Sequence, residues 1–260
     1  MRVSSNELIR HFLTQQIELG GSSVVLPRAP GTEVDAESEP RAGAVAGAEA
    51  PAREEERTES WTAPDGRVVR GSAERVELAK LFYEEGSCTR CALGASRTRF
   101  VFGTGVPDAT VVLVGEAPGA AEDRQGLPFV GPAGKLLDEL LAGVGLDRAS
   151  NVFICNVLKC RPPGNRDPLP EEVELCSPIL RRQLEILKPS LIVTLGRFAA
   201  QALLRSDAPM GAMRRKIHSY GEIPLIATYH PAYLLRNRQA IAEVEADLIE
   251  AAKLIGGEGG

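Results

Sequence analysis

Apolar residues recur along this chain in two rhythms. Four short runs, residues 110–115, 151–156, 191–196 and 224–228, are almost continuously apolar. A strand buried on both faces reads this way. Residues 133–143, 170–187, 197–204 and 238–254 instead space their apolar positions as helices do. The helix predicted over 170–187 opens on Pro170, Glu171 and Glu172, which suit the positive end of a helix. Residues 157–169 form a Pro-, Gly- and Arg-rich loop. Strands alternating with helices imply an α/β fold in three layers, αβα, with a parallel sheet covered on both faces. No internal repeat is visible.

Upstream of this pattern the rhythm changes. Residues 72–85 predict a helix with Val76, Leu78, Leu81 and Phe82 inward. Residues 20–70 are rich in Gly, Pro, Ala and Glu and carry few large apolar side chains. Such a stretch buries too little surface to offset its ordering entropy, so a disordered linker is expected. Residues 4–19 place Leu8, Ile9, Phe12, Leu13, Ile17 and Leu19 on one half of a short amphipathic helix. This helix either docks a protein partner, packs weakly on its own domain or frays. The chain thus divides into an N-terminal extension over 1–71 and one domain over 72–256.

Composition refines the picture. Hydrophobic residues make up 43% of the 260, but aromatics only 5%, so the core rests on Ala, Val, Leu and Ile. The net charge of -5 is not that of a basic nucleic-acid binder. Residues 1–75 hold 13 acidic and 9 basic side chains, which leaves 22 acidic and 21 basic in the remainder. Any DNA site on the domain must therefore be a local patch. No run approaches the roughly 18 apolar residues of a membrane span, and the start of the chain lacks the apolar core of a secretion signal. A cytoplasmic protein is expected, and a monomer suits this reading.

In doubly wound sheets, ligands bind beyond the carboxyl ends of the strands. The segments that follow the four strands are Gly115-Glu-Ala-Pro-Gly119, Asn156-Val-Leu-Lys-Cys160, Gly196-Arg197 and Tyr229-His-Pro-Ala-Tyr233. Topology alone brings Glu116, Asn156 and His230 to one rim. Of the five cysteines, Cys88 and Cys91 form a CxxC pair. Cys160 and Cys176 add two thiols with fifteen residues between them. Four thiolates make a closed soft site for zinc or for a four-iron cluster, and spacing does not choose between them. Cys155 lies inside a strand and reads as a core residue.

The motifs Gly-Glu-Ala-Pro-Gly (115–119), Gly-Leu-Pro-Phe-Val-Gly (126–131), Asn-Val-Leu-Lys-Cys-Arg-Pro-Pro-Gly-Asn-Arg-Asp-Pro (156–168) and His-Pro-Ala-Tyr-Leu-Leu-Arg (230–236) resemble those of the family 4 uracil-DNA glycosylases. The likeness runs in order over about residues 75–255 and includes four cysteines. It implies a four-stranded parallel sheet and a 4Fe-4S cluster on Cys88, Cys91, Cys160 and Cys176. It also implies a monofunctional hydrolase that cuts the bond between uracil and deoxyribose in single- or double-stranded DNA.

The residues make chemical sense in those roles. A uracil in a duplex must be flipped out to be reached. Phe129 offers the flipped ring a stacking face. The Asn156 amide can both donate and accept, as uracil's O4 and N3–H require. His230 can donate to O2, where charge gathers as the base departs. Glu116 stabilises the sugar cation, orients water or only braces its loop, and Ala117 offers a backbone amide beside it. Gly115 and Gly119 permit close backbone approach. Lys159, Arg161, Arg166 and Arg236 are expected on DNA phosphates, with Arg214, Arg215 and Lys216 as a third basic run. The segment Arg214-Arg-Lys-Ile-His218 resembles a loop that traps uracil-DNA in a related family, but its position differs, and His218 is expected to be a surface or strand residue.

Overall fold

The computed structural model describes residues 58–256. The helix expected over 4–19 and most of the linker lie outside the described residues. The first described element is a hairpin of β1 (Glu59–Thr62) and β2 (Val68–Gly71). This corrects the expectation for 59–71, which the composition had assigned to the linker. The strands are short and polar, but Pro64-Asp65-Gly66 between them is a turn sequence. The Asp65 carboxylate closes the turn by pairing with Arg67 and accepting the Tyr83 hydroxyl at 2.8 Å. Trp61 packs edge-on against Tyr83, with ring centroids 5.1 Å apart. The hairpin is thereby fastened to α1 (Ala73–Glu85), which starts where the Ser72 hydroxyl accepts the Arg75 amide.

The sheet is built from β3 (Thr104–Gly105), β4 (Val111–Gly115), β5 (Val152–Asn156), β6 (Leu191–Leu195), β7 (Ile217–Tyr220) and β8 (Ile223–Thr228). Its order is β3-β5-β4-β6-β8-β7. The central four strands run parallel, as the sequence pattern implies. The sheet nevertheless has six strands rather than four, because β3 and β7 add an antiparallel strand at each edge. All residues of β4, β5 and β6 are buried. Their side chains alternate between two cores. Val112, Val114, Phe153, Cys155 and Ile192 face α1, α5 (Pro170–Leu187) and α6 (Arg197–Leu204). Val111, Leu113, Ile154, Val193 and Leu195 face α4 (Pro132–Ala142) and α9 (Ile241–Gly256). The remaining helices are short: α2 (Leu93–Ser96), α3 (Ala120–Gln125), α7 (Met210–Met213) and α8 (Pro231–Leu234). Among the described residues no helix is long and apolar enough to cross a membrane.

Candidate active site

The rim forms because strand pairing continues past the strand ends. Gly115 stands opposite Asn156 in the β4–β5 ladder. Beyond it, the Val157 amide donates to Gly115 O at 2.9 Å and the Leu158 amide to Glu116 O at 3.0 Å. The two loops leave the sheet side by side, with Glu116 and Ala117 beside Asn156. Glycine is required where they meet. A Cβ on Gly115 would lie 2.3 Å from Asn156 Oδ1 and 2.7 Å from the Phe129 ring. Across the sheet, Gly196 follows β6 with φ +94°, and a Cβ there would lie 2.9 Å from that of His230.

Glu116, Ala117, Phe129, Asn156 and His230 line one cavity of about 460 Å³. Gly119, Arg166 and Arg236 line it too, so eight of the residues expected from sequence share one concavity. Asn156 is 2% exposed, and its Oδ1 has no hydrogen-bond partner among the described residues. An unpaired buried acceptor costs about 1–3 kcal/mol, which a ligand N–H can recover. The Phe129 ring lies 5.4 Å from that of His230, tilted by 30°. His230 caps α8: its Nδ1 accepts the Ala232 amide at 3.1 Å. That bond leaves the proton on Nε2 and makes Nε2 a donor. Burial lowers the imidazole pKa to about 4 against the opposing charge of Glu122, so the ring is neutral at physiological pH. Glu116 moves the other way. Burial first, and then the charge of Asp167, raise its pKa to about 7 against the pull of Arg197.

The basic residues divide. Lys159 is wholly buried and cannot reach a phosphate, which corrects the sequence reading. Its ammonium donates to Asn156 O at 2.8 Å and to Gln183 Oε1 at 2.5 Å. Gln183 in turn donates to Phe102 O at 3.0 Å. An aliphatic stem allows lysine to thread inward when its head finds such partners. Arg214 is also withdrawn from the expected basic run: it is 5% exposed and paired with Asp247 and Glu243. A larger groove of about 690 Å³ lies beside it, lined by Arg214, Ile217, Glu243 and Asp247 but by none of the strand-end residues. Arg161 donates to Asn165 Oδ1 at 2.7 Å, and Arg166 forks onto the Glu172 carboxylate at 2.6 and 2.9 Å. His218 sits on the edge strand β7, with Nε2 2.7 Å from Met213 O, and does not line the cavity. Sequence reasoning gave no role to several cavity residues, the polar Glu122, Asn165 and Tyr233 among them. Asn165 lay inside a motif already quoted; Glu122 stands one turn into a helix that no periodicity announced.

The cysteines form a second region. Cys88 and Cys91 follow α1, Cys160 lies four residues past Asn156, and Cys176 lies on α5. None of the five cysteines is in a disulfide, and Cys155 is buried in β5 as the pattern implies. Arg97 draws the corner together, donating to Cys160 Sγ at 3.2 Å, Cys88 O at 2.6 Å and Gly86 O at 2.9 Å. The Lys159 amide points at Cys176 Sγ, 3.4 Å away. Burial pushes the Cys160 thiol up to about 11, with Arg97 opposing and Cys176 and Cys91 adding to the rise. The four thiols thus lie within electrostatic reach of one another. Among the described residues no group of three or more His, Cys, Asp or Glu side chains is gathered as ligands to a single ion would be.

The α/β sheet and its strand-end cavity define a chain of the uracil DNA glycosylase superfamily, whose family model matches residues 102–252. Within that superfamily it belongs with the type-4 enzymes. It is 48% identical to the type-4 uracil-DNA glycosylase of Archaeoglobus fulgidus, over 65% of this chain and 89% of that protein. The type-4 uracil-DNA glycosylase of Thermotoga maritima is 43% identical, over 69% of this chain and 95% of its own length. That of Sulfurisphaera tokodaii is 42% identical, over 68% and 84%.

Proposed function

We propose that this protein is a monofunctional uracil-DNA glycosylase, which hydrolyses the N-glycosidic bond of uracil in DNA and leaves an abasic site for base excision repair. The observation that carries this reading is the unpaired, buried Asn156 Oδ1, set in one cavity with Phe129 and His230. Uracil's N3–H fills that acceptor while the Asn156 amide NH2 donates to O4. Cytosine presents a bare N3 and an amine there, so two acceptors and two donors would face each other. Phe129 stacks on the flipped ring. As the glycosidic bond breaks, the neutral His230 donates from Nε2 to the developing charge on O2, a contact that strengthens in the transition state. The Ala117 amide lies beside the same base. Glu116, once ionised, offsets the positive charge growing on the sugar or holds the attacking water.

Uracil-containing DNA is the partner that this site fits, with Arg166 and Arg236 at its rim and Arg161 bonded to the cavity residue Asn165, for the phosphates. One chain supplies every residue of the cavity, so a monomer suffices. Cys88, Cys91, Cys160 and Cys176 suit a 4Fe-4S cluster: the donors are soft, and a guanidinium and a backbone amide point at two of the sulfurs, as around other cluster thiolates. Such a cluster would act as a crosslink that pins residues 160–176 to the segment after α1, since the hydrolysis itself moves no electrons.

The test is direct. Incubated with uracil-containing single- and double-stranded oligonucleotides in the presence of a chelator, the protein yields alkali-labile sites, and cytosine controls stay intact. Folded protein that leaves uracil in place removes the proposal. Purified protein is brown and carries iron and acid-labile sulfide; colourless protein with stoichiometric zinc contradicts the cluster.

A further inference from the structure

Phe129 is an anomaly in the backbone. Its φ is +53°, in the left-handed region that non-glycine residues rarely occupy. Such residues persist where their surroundings over-determine them, and here the surroundings can be named. Arg148, in the loop before β5, donates from Nη1 to Pro128 O and from Nη2 to Phe129 O, each at 2.9 Å. Asp138 on α4 orients the guanidinium through Nε at 2.7 Å. From the other side Glu122 Oε1 accepts the Val130 and Gly131 amides at 3.0 and 3.1 Å. Four consecutive residues, 128 to 131, are thus gripped by two carbonyl bonds and two amide bonds. Only an arginine fork can take two adjacent carbonyls with its geometry fixed by a third bond.

Arg148 does not line the cavity, so it does not touch the base. We infer that Arg148 is a positioning residue for uracil excision: it holds the Phe129 ring at the angle at which the flipped base stacks. This rests on the assignment of Phe129 as the stacking face in the proposed function.

Three measurements on Arg148→Met and Arg148→Lys test it. Single-turnover excision by Arg148→Met slows by roughly tenfold to a hundredfold, the scale of an ångström-level misplacement, and Arg148→Lys falls between it and the wild type. Affinity for DNA carrying a non-cleavable 2′-fluoro-deoxyuridine drops by about tenfold, whereas affinity for DNA with a tetrahydrofuran abasic analogue stays within about twofold, because that site has no base to stack. In a Phe129→Ala background Arg148→Met adds no further loss, since both changes act through one ring. Should Arg148→Met fail to fold, Asp138→Asn frees the guanidinium while keeping it, and shows the same base-dependent loss to a smaller degree. Wild-type excision by the Arg148 variants overturns the inference, as does an equal loss on abasic DNA or full additivity with Phe129→Ala. Inactive wild-type protein would instead indict the assignment of function.

Discussion

The cavity at the strand ends and the cysteine corner share one stretch of backbone, Asn156 to Cys160, yet they are built on opposite terms. In the cavity a buried acceptor is left open, an imidazole is kept neutral and a carboxylate is pushed towards neutrality. In the corner the polar groups close on one another: Arg97 takes two carbonyls and a sulfur, and the Lys159 amide takes another sulfur. A buried acceptor left without a partner marks the place that waits for a base. Satisfied groups mark the place that holds the shape. Lys159 stands at the border, with its amide on the cysteine side and its ammonium beneath the carbonyl of Asn156.

The contrast can be broken from either end. Loss of chemistry without loss of fold is expected from His230→Ala: single-turnover excision should slow by about two to three orders of magnitude, while the protein stays folded with stability lowered by about 1 kcal/mol for the lost α8 cap. An unchanged rate would remove the imidazole from the reaction. The corner should behave in the reverse way. Cys160→Ala is expected to cut the soluble, folded yield and to remove the brown colour that the proposed cluster would give, and a stable, fully active variant would show that the corner is dispensable. Lys159→Met probes the border. Removing the buried donor leaves Asn156 O and Gln183 Oε1 unpaired, with an expected loss of about 1–3 kcal/mol in chemical denaturation; no loss would mean that these bonds carry nothing.

The two shifted protonation states give the cavity a pH signature. Glu116 has a raised pKa, so it is a carboxylate only above about 7 and takes up a proton as pH falls through that value. His230 has a lowered pKa and stays neutral down to about 4. Of these two groups, only Glu116 changes between these limits. The excision rate should therefore rise with pH to a plateau above about 7, and Glu116→Gln should flatten the profile. A wild-type profile that is flat from pH 5 to 8 would leave Glu116 as a loop brace. The smallest effect is expected at the rim. Arg236→Ala should leave saturated single-turnover rates unchanged and reduce the salt dependence of DNA binding by about one phosphate contact. An unchanged salt slope would place Arg236 off the DNA.

How much of this was legible depended on burial. The runs at β4, β5 and β6 are buried throughout, so their apolar pattern could not be mistaken, and topology then brought Glu116, Asn156 and His230 to one rim. The edges were not legible. β3 is two residues long, and β7 alternates exposed with half-buried positions. The hairpin at 59–71 hid behind Glu, Ser and Arg, although its turn sequence was in view. Lys159 and Arg214 were misread for one reason: a sequence shows a charge, but not whether its stem threads inward to a partner such as Gln183 or Asp247. The grip of Arg148 on Phe129 spans nineteen residues and ends on carbonyls, which have no side-chain signature at all.

The central claim is that one cavity holds a flipped uracil between Phe129, Asn156 and His230. A crystal structure of the protein with cleaved product, uracil and abasic DNA, tests it most directly. The account predicts uracil against the Phe129 ring, its N3 within hydrogen-bond distance of Asn156 Oδ1 and its O2 at His230 Nε2. A base bound elsewhere, or with N3 turned from Asn156, would contradict it.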